Sequence, residues 1–211
     1  MNIKTVLNKL IERYPALDSC KVEIEEASGL LIKSYENKGK LLICGNGGSS
    51  SDSDHIVGEL MKSFSKKRPV DDSFSEKLKA ISAERGTKLA EKLERALPAI
   101  SLSAHSALTS AVSNDIGGDF IFAQQVVGYG NKEDVLLAIT TSGNSRNIID
   151  AAITAKANGL KVIGLTGETG GELKQFCDVT ICVPSMSTPE VQEYHLPIYH
   201  ALCQIIEHKF F

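Results

Sequence analysis

Five short apolar runs, separated by helix-length segments, constrain the fold of this chain more than any other feature of its sequence. They are KLLICGNG (40–47), PAISLSA (98–104), DVLLAITT (134–141), KVIGLTG (161–167) and VTICVPS (179–185). Each run is apolar almost throughout, which is typical of a strand that helices cover on both faces. Because the intervening segments have the length of helices, we expect βαβ units and a five-stranded parallel sheet in a three-layer α/β sandwich.

Two further segments are predicted to be helical. Apolar residues recur at helical spacing through residues 1–38, with an interruption at Pro15, which predicts an N-terminal helical hairpin. Residues 70–97 form a charged insertion in which an apolar stripe begins with Phe74 and Leu78. We expect this helical insertion to be solvated and to pack on a neighbouring element; an oligomerisation arm or a lid over the site are the alternatives. The 211 residues suit a single domain, 1–211.

Composition argues against several classes of protein. The formal net charge is −3, from 23 basic and 26 acidic side chains, whereas neutralising many phosphates of a nucleic acid needs a basic surplus. No apolar run approaches the roughly 20 residues that span a bilayer, and the N-terminus lacks the apolar core of a signal peptide. The five cysteines form no C-x-x-C pair, and Cys44, Cys182 and Cys203 lie in apolar runs, which predicts buried, reduced thiols. We therefore expect a cytoplasmic protein with no nucleic-acid or membrane partner.

Loops rich in Gly, Ser and Thr follow three of the predicted strands: GNGGSSS (45–51), TTSGNS (140–145) and TGETGG (166–171). The carboxyl ends of parallel strands share one edge of the sheet, where ligands bind. Glycines let backbone N–H groups approach an anion, hydroxyls add donors, and the following helix N-terminus is partly positive. The loops therefore predict a phosphate cradle without lysine. A G-x-G-x-x-G fingerprint is not matched in the first loop, and the P-loop pattern of ATPases is absent.

A helix is predicted after the first loop, with Ser49 or Ser51 as its N-cap. His55 and Glu59 are four residues apart and lie on one face of it. The adjacent stripe, expected to face the core, holds Ile56 and Leu60. His55 and Glu59 are either an exposed pair or groups that face the crevice for proton transfer or metal binding.

The C-terminal helix carries three polar groups, Gln192, His195 and His200, near its apolar stripe. The stripe is expected to consist of Leu196, Ile198 or Tyr199, Leu202, Cys203 and Ile206. A buried histidine is usually satisfied locally, and Gln192 and His200 lie about 80° apart on an ideal helix, so spacing supports a site here only modestly. Pro197 is expected to kink or interrupt the helix.

Five motifs together resemble the phosphoheptose isomerase family of the sugar isomerase (SIS) fold, a flavodoxin-like sheet. They are GNGGSSSDSDHIVGEL, SNDIGGDF, LLAITTSGNSRNII, LTGETGGEL and VQEYHLPIYHALCQIIE. The resemblance covers residues 40–65 and 98–211. It implies an aldose–ketose isomerase that interconverts sedoheptulose 7-phosphate and D-glycero-D-manno-heptose 7-phosphate, feeding heptose into lipopolysaccharide, capsule or surface-layer glycans. It also implies a homotetramer with sites near subunit boundaries, and zinc, which several members bind.

The resemblance further implies roles for individual residues. Contacts to the sugar phosphate are expected from Asn46, Gly47, Gly48, Glu59, Asn114, Asp115, Thr140, Thr141, Ser142, Ser145 and Gln192. The catalytic pair would be Glu59 and His200. The zinc ligands would be His55, Glu59, Gln192 and His200. Thr140 replaces the family's usual serine and keeps the hydroxyl, whereas the long insertion and Pro197 depart from the family pattern.

Isomerisation through an enediol needs a base near the carbon acid and a proton donor or electrophile near the oxygens. We expect Glu59 to shuttle the carbon proton and His200 to protonate oxygen and open the ring. Zinc would polarise the carbonyl. Glu59 cannot be a free base and a tightly held ligand at once, so these two versions compete. The alternative functions are a non-catalytic SIS-fold regulator, of the kind that acts on replication initiation, and an isomerase or binder of another sugar phosphate.

Overall fold

The computed structural model describes residues 3–211, which fold into a three-layer α/β sandwich. The strands are β1 (Leu41–Gly45), β2 (Ala99–Ser101), β3 (Val135–Thr140), β4 (Lys161–Thr166) and β5 (Val179–Cys182). The α-helices are α1 (Ile3–Arg13), α2 (Lys21–Glu36), α3 (Gly48–Met61), α4 (Asp72–Ile81), α5 (Ala83–Lys92), α6 (Ser106–Asp115), α7 (Ile121–Tyr129), α8 (Arg146–Ala157) and α9 (Thr188–Phe210). Short 3-10 helices lie at Pro15–Cys20, Gly118–Phe120 and Glu172–Phe176.

The sheet confirms the predicted architecture. All five apolar runs form strands, every pairing is parallel, and the order is β2-β1-β3-β4-β5. One apolar core lies between the sheet and helices α1, α2, α3 and α9, and a second lies on the other face, under α7 and α8. The strand order reverses between β1 and β3, so the crevice for a ligand is expected where the loops after these two strands separate.

The predicted N-terminal hairpin is present as α1 and α2, and both helices pack against α9. The five cysteines, all within the described residues, are free thiols. Cys44 and Cys203 are buried as expected, whereas Cys182 is only partly buried because β5 is the edge strand of the sheet. Within residues 3–211, the helices are all too short or too polar to cross a membrane.

The insertion is helical as predicted, but the expected packing on a neighbouring element is wrong. Helices α4 and α5 pack mainly against each other and leave their apolar stripe at the surface, with Phe74 44% and Ile81 85% exposed. The root of this hairpin is closed by a bridge between Pro69 and Glu94. The two helices approach each other closely at the buried Gly86, where an added Cβ would lie 2.0 Å from Leu78 O, while most of the stripe stays exposed.

Helix α9 differs from expectation in two respects. It continues through Pro197, which is buried, whereas an interruption was predicted. The backbone carbonyl that loses its hydrogen bond to a proline belongs to the residue four positions earlier, here the exposed Glu193, where water can replace the donor. Leu196, predicted in the core, is 40% exposed, while the rest of the predicted stripe is buried.

Helix α3 also begins differently from the prediction. Its first residue is Gly48 and its N-cap is Gly47, with φ +55°, so the predicted caps Ser49 and Ser51 lie inside the first turn. The tight turn after β1 needs a backbone conformation that side chains disfavour, and a glycine therefore occupies the cap.

Candidate active site

A cavity of about 240 Å³ lies at the carboxyl edge of the sheet, between the ends of β1 and β3. Its lining comes from the loop after β1, the loop after β3 and the start of α9. The lining residues are Asn46, Gly47, Gly48, Ser49, Ile139, Thr140, Thr141, Ser145, Thr188 and Gln192. The cavity therefore coincides with the crevice that the strand order predicts, and two of the three predicted loops form it.

Hydrogen bonds across the crevice hold the two loops in register. The side-chain amides of Asn46 and Asn147 exchange two bonds of 2.9 Å across the crevice. Within the second loop, the Thr140 and Ser145 hydroxyl oxygens lie 3.2 Å apart. Gly48 approaches Gln192 so closely that an added Cβ would lie 2.4 Å from Nε2. The cavity thus combines several hydroxyls with the N-terminus of α3, whose dipole favours an anion, although the N–H groups of Ser49, Ser50 and Ser51 already donate to the carbonyls of Asn46 and Gly47.

The third predicted loop, 166–171, lies behind the second loop and is not part of the cavity lining. The N–H of Gly167 donates to Thr141 O at 3.0 Å. Gly143 has φ +70°, and a Cβ there would lie 2.1 Å from Gly170 O. This loop therefore supports the backbone of the second loop, and glycines are needed where the two backbones touch.

Three residues that the resemblance assigns to the sugar lie away from the cavity lining in this chain. Asn114 and Asp115 end α6, are exposed, and are hydrogen-bonded to each other at 2.8 Å. Ser142 is likewise outside the lining, with its hydroxyl accepting the N–H of Asn144 at 3.1 Å. The assignment of these three residues to the substrate stays a prediction.

A second polar cluster forms between α3 and α9. His55 Nε2 lies 3.2 Å from Glu59 Oε1, and the rings of His55 and His200 are 5.1 Å apart between centroids. His55 Nδ1 lies 3.0 Å from the hydroxyl oxygen of Tyr199, whose O–H donates to Asp52 Oδ1 at 3.2 Å. Because Tyr199 has one proton and gives it to Asp52, Nδ1 of His55 is the donor in its own contact with Tyr199. The predicted pair of His55 and Glu59 is therefore in contact, with Nε2 facing the carboxyl.

His200 stands beside this pair in a partly apolar setting. Its Nε2 is buried and has no hydrogen-bond partner among the described residues. Burial lowers the pKa of His200 below its usual value, with a further lowering from His55 and an opposing effect of Glu59. The ring also lines a separate groove of about 860 Å³, between α1 and α9, together with Lys9 and Arg13. His200 is thus a neutral imidazole with one free nitrogen near neutral pH.

The packing of α3 on α9 determines how far this cluster lies from the cavity. The two helices run in the same direction, since Gly48 approaches Gln192 and His55 contacts Tyr199 seven residues later on both helices. At 1.5 Å per residue, Glu59 lies about 16 Å beyond Gly48 along α3. His200 lines the groove between α1 and α9, whereas His55 and Glu59 line neither that groove nor the crevice. Within one chain, the predicted catalytic pair therefore lies outside the crevice.

The four predicted zinc ligands are divided in the same way. Gln192 belongs to the cradle, whereas His55, Glu59 and His200 belong to the second cluster. Across residues 3–211, His, Cys, Asp and Glu side chains form no group of three with the arrangement of a metal site. The donor types suit zinc, but a single chain does not bring all four donors together.

Three polar residues of these two clusters were missed from the sequence. Asp52 and Tyr199 complete the hydrogen-bond chain to His55, and Thr188 lines the cavity. Thr188 has a sequence signal, because a Ser-Thr-Pro stretch marks a helix N-terminus, where backbone N–H groups are free. Asp52 and Tyr199 carry no such signal, since they meet only in the folded chain.

Comparison with known proteins agrees with this architecture. The SIS domain family matches residues 7–96 and 79–167. A phosphoheptose isomerase from Helicobacter pylori is 40% identical over 196 residues, which cover 92% of this chain and 88% of that protein. One from a Nitratiruptor species is 39% identical over 193 residues, covering 92% of this chain and 89% of that protein.

Solved structures give the same result. The phosphoheptose isomerase of Neisseria gonorrhoeae has a TM-score of 0.75 and 30% identity, covering 95% of this chain and 94% of that one. The enzyme of Francisella tularensis has a TM-score of 0.74 and 33% identity, covering 98% and 96%. The chain therefore belongs to the phosphoheptose isomerase family of SIS-domain proteins and is a sugar-phosphate isomerase.

Proposed function

We propose that this enzyme interconverts sedoheptulose 7-phosphate and D-glycero-D-manno-heptose 7-phosphate through an enediol, in the cytoplasm, for heptose-containing surface glycans such as lipopolysaccharide. The observation that carries the proposal is the contact between His55 and Glu59 beside His200, in a chain whose relatives are named phosphoheptose isomerases. A carboxyl and an imidazole are the groups that aldose–ketose isomerisation needs.

In this proposal the phosphate binds in the cavity between the ends of β1 and β3, which is the predicted cradle. The positive end of the α3 dipole and the hydroxyls of Thr140, Thr141 and Ser145 point to an anion site. Hydrogen bonds to a charged phosphate are stronger than those between neutral groups, so the cradle determines the position of the sugar even without a lysine.

Glu59 transfers the proton between the two carbons, and His200 acts on the oxygens. His55 Nε2 lies 3.2 Å from Glu59 Oε1, so an imidazole stands beside the carboxyl that accepts the carbon proton in this proposal. The free, buried Nε2 of His200 can accept a hydroxyl proton during ring opening and return it to the enediol oxygen.

A complete site requires two copies of the chain in this proposal, because within one chain neither Glu59 nor His200 lines the cavity that forms the cradle. The resemblance to a tetrameric family supports the same arrangement. The test combines two inactive variants, Glu59→Gln and Asn46→Ala, by unfolding and refolding them together. Random mixing at equal amounts should restore about a quarter of the activity if each site is shared between chains. No recovery from mixed oligomers would contradict a shared site.

We propose that zinc, if held by His55, Glu59, Gln192 and His200, is held by residues of two chains, since one chain separates Gln192 from the other three. Zinc bound to Glu59 and His200 would compete with the proton transfers assigned to these two residues. Metal analysis of the purified oligomer checks the site: Gln192→Ala and His200→Ala should each lower the zinc content. A zinc content unaffected by both changes would refute this ligand set. Higher turnover after chelation would favour Glu59 as a free base.

The deciding experiment incubates the enzyme with sedoheptulose 7-phosphate, with and without a chelator, and measures the aldose by chromatography. Wild-type enzyme should convert the substrate, and Glu59→Gln should lower the turnover at least a hundredfold with the fold retained. Arabinose 5-phosphate and fructose 6-phosphate serve as controls for another sugar phosphate. Ligand binding without turnover of any of them would instead favour a non-catalytic regulator, whereas the presence of both Glu59 and His200 favours the enzyme. Near-full turnover by Glu59→Gln would remove the proton-shuttle assignment.

A further inference from the structure

Arg68 is a fully buried arginine in the turn between α3 and the insertion. Its guanidinium donates to three acceptors on two elements: Nε to Glu207 Oε1 at 2.7 Å, Nη1 to Leu60 O at 2.8 Å and Nη2 to Glu59 O at 2.9 Å. Two of these acceptors are backbone carbonyls of the last turn of α3. The guanidinium therefore caps the C-terminal end of the helix on which Glu59 stands, where a positive charge complements the helix dipole.

Glu207, on α9, holds Arg68 in place. Its buried carboxylate accepts the N–H groups of Phe64, Ser65 and Lys66 and the Ser65 hydroxyl, in addition to Arg68. Burial alone would raise the pKa of Glu207, but the hydrogen bonds from Ser65, Phe64 and Arg68 outweigh it and keep the pKa below the usual value. The carboxylate is therefore charged at neutral pH, and its pairing with Arg68 leaves neither charge uncompensated.

This arrangement links the end of α3 directly to α9. Glu59 supplies its own carbonyl to Arg68, while its side chain, 13% exposed, contacts His55. His200 lies seven residues before Glu207 on α9, so the carboxylate that anchors Arg68 belongs to the helix that carries the second catalytic group. A shift of the last turn of α3 relative to α9 would move Glu59 relative to His200, and small displacements of catalytic groups lower the rate strongly.

We propose that Arg68 is a positioning residue for Glu59: it ties the backbone of Glu59 to Glu207 and thereby sets the direction of the Glu59 carboxyl. The inference rests on the proposed role of Glu59 in proton transfer. Arg68 does not line the cradle, and Glu59, whose carbonyl it binds, lies about 16 Å beyond Gly48 along α3, so Arg68 should affect turnover and leave substrate binding intact.

Arg95 provides a matched control. The guanidinium groups of Arg68 and Arg95 both lie over the Phe211 ring, at 4.8 and 4.7 Å from its centroid. Both residues stand at the root of the insertion, where the backbone N–H of Arg95 donates to Arg68 O at 2.7 Å. The Arg95 side chain is not among those that bond the carbonyls of Glu59 and Leu60. Its replacement therefore removes a cation from the same ring without uncapping α3.

The test compares Arg68→Lys, Glu207→Gln and Arg95→Met in the full-length protein, with kcat and KM for sedoheptulose 7-phosphate expressed per folded molecule and a thermal melt for each. Lysine cannot reach three acceptors at once, so Arg68→Lys should lower kcat at least tenfold with KM within twofold of wild type. Glu207→Gln should also lower kcat. If Arg68→Lys does not fold, Glu207→Gln tests the inference in its place. Arg95→Met should leave kcat and KM within twofold.

Two outcomes would overturn the inference. One is a kcat per folded molecule within twofold of wild type for Arg68→Lys or Glu207→Gln, even with a lowered melting temperature, because that is the result of a purely structural role. The other is an equal loss of kcat in Arg95→Met. Glu59→Gln is measured in parallel: if it retains turnover, the proposed role of Glu59 fails, whereas an inactive Glu59→Gln beside a fully active Arg68→Lys refutes the positioning role alone.

Discussion

His195 should make the stability of this enzyme depend on pH. It is fully buried in α9, and burial lowers the pKa of its imidazole from 6.5 to about 4. Between these values the unfolded chain binds a proton that the folded chain does not, so the free energy of unfolding rises with pH through this window. The stability that the folded state keeps by burying a neutral His195 is fully present above pH 6.5 and is lost as the pH falls towards 4. At about 1.4 kcal/mol per pH unit, the whole window is worth about 3 kcal/mol.

Urea unfolding at about pH 7.5 and about pH 5, at one protein concentration, measures this effect. His195 should lower the free energy of unfolding by about 2 kcal/mol at the lower pH, and His195→Leu should lack that component. Ile198→Val, buried on the same helix, is the control: it should cost about 1 kcal/mol at both pH values, because it removes a methyl group and no titrating group. A His195→Leu protein whose pH dependence equals that of wild type would refute the reasoning.

Three further perturbations follow from the loops and the insertion. Gly143→Ala should lower the melting temperature and raise KM, because the added methyl group would lie 2.1 Å from Gly170 O at a residue with φ +70°. The expected loss of stability is about 1–3 kcal/mol. An unchanged melting temperature and KM would contradict the close approach of the two backbones. Thr140→Val removes the hydroxyl 3.2 Å from that of Ser145 and should raise KM about tenfold with little change in melting temperature, as steady-state kinetics will show. Replacing residues 71–92 by a short Gly-Ser link should leave a folded protein, as measured by circular dichroism, since α4 and α5 pack mainly on each other. If the variant forms a smaller oligomer in size-exclusion chromatography, the hairpin is an assembly arm.

Parts of the candidate site were predictable because their signals are local. A hydroxyl-rich turn after a buried strand predicts an anion site wherever the strand lies in the sheet, and TTSGNS indeed lines the cavity through Thr140, Thr141 and Ser145. The contact of His55 with Glu59 follows from their spacing on one helix. Asp52 and Tyr199 were missed because they are 147 residues apart and only the packing of α3 on α9 joins them.

At Pro197 the tertiary packing overrides the local preference of the sequence. The cost of a proline inside a helix is local, but the burial of its ring and of its neighbours Ile198 and Tyr199 in the core favours the continuous helix. Arg68 shows that the burial of a charged residue likewise depends on tertiary contacts rather than on the local sequence. Its position in a run of basic residues indicates a solvated arginine, yet the partner that compensates its burial, Glu207, lies 139 residues away along the chain.

The sequence by itself determined the five strands, their parallel pairing and the two loops that line the cavity, because apolar runs and glycine-rich turns act over a few residues. Only the tertiary structure decided that the predicted catalytic pair lies away from the cavity: Glu59 is near the end of α3 and His200 is near the middle of α9, whereas Gly48 and Gln192 of the cavity are at the starts of these helices. The physical reason is that two helices packed in parallel keep a constant register, so Glu59, eleven residues after Gly48, and His200, eight residues after Gln192, are carried away from the cavity by the rise of the helix.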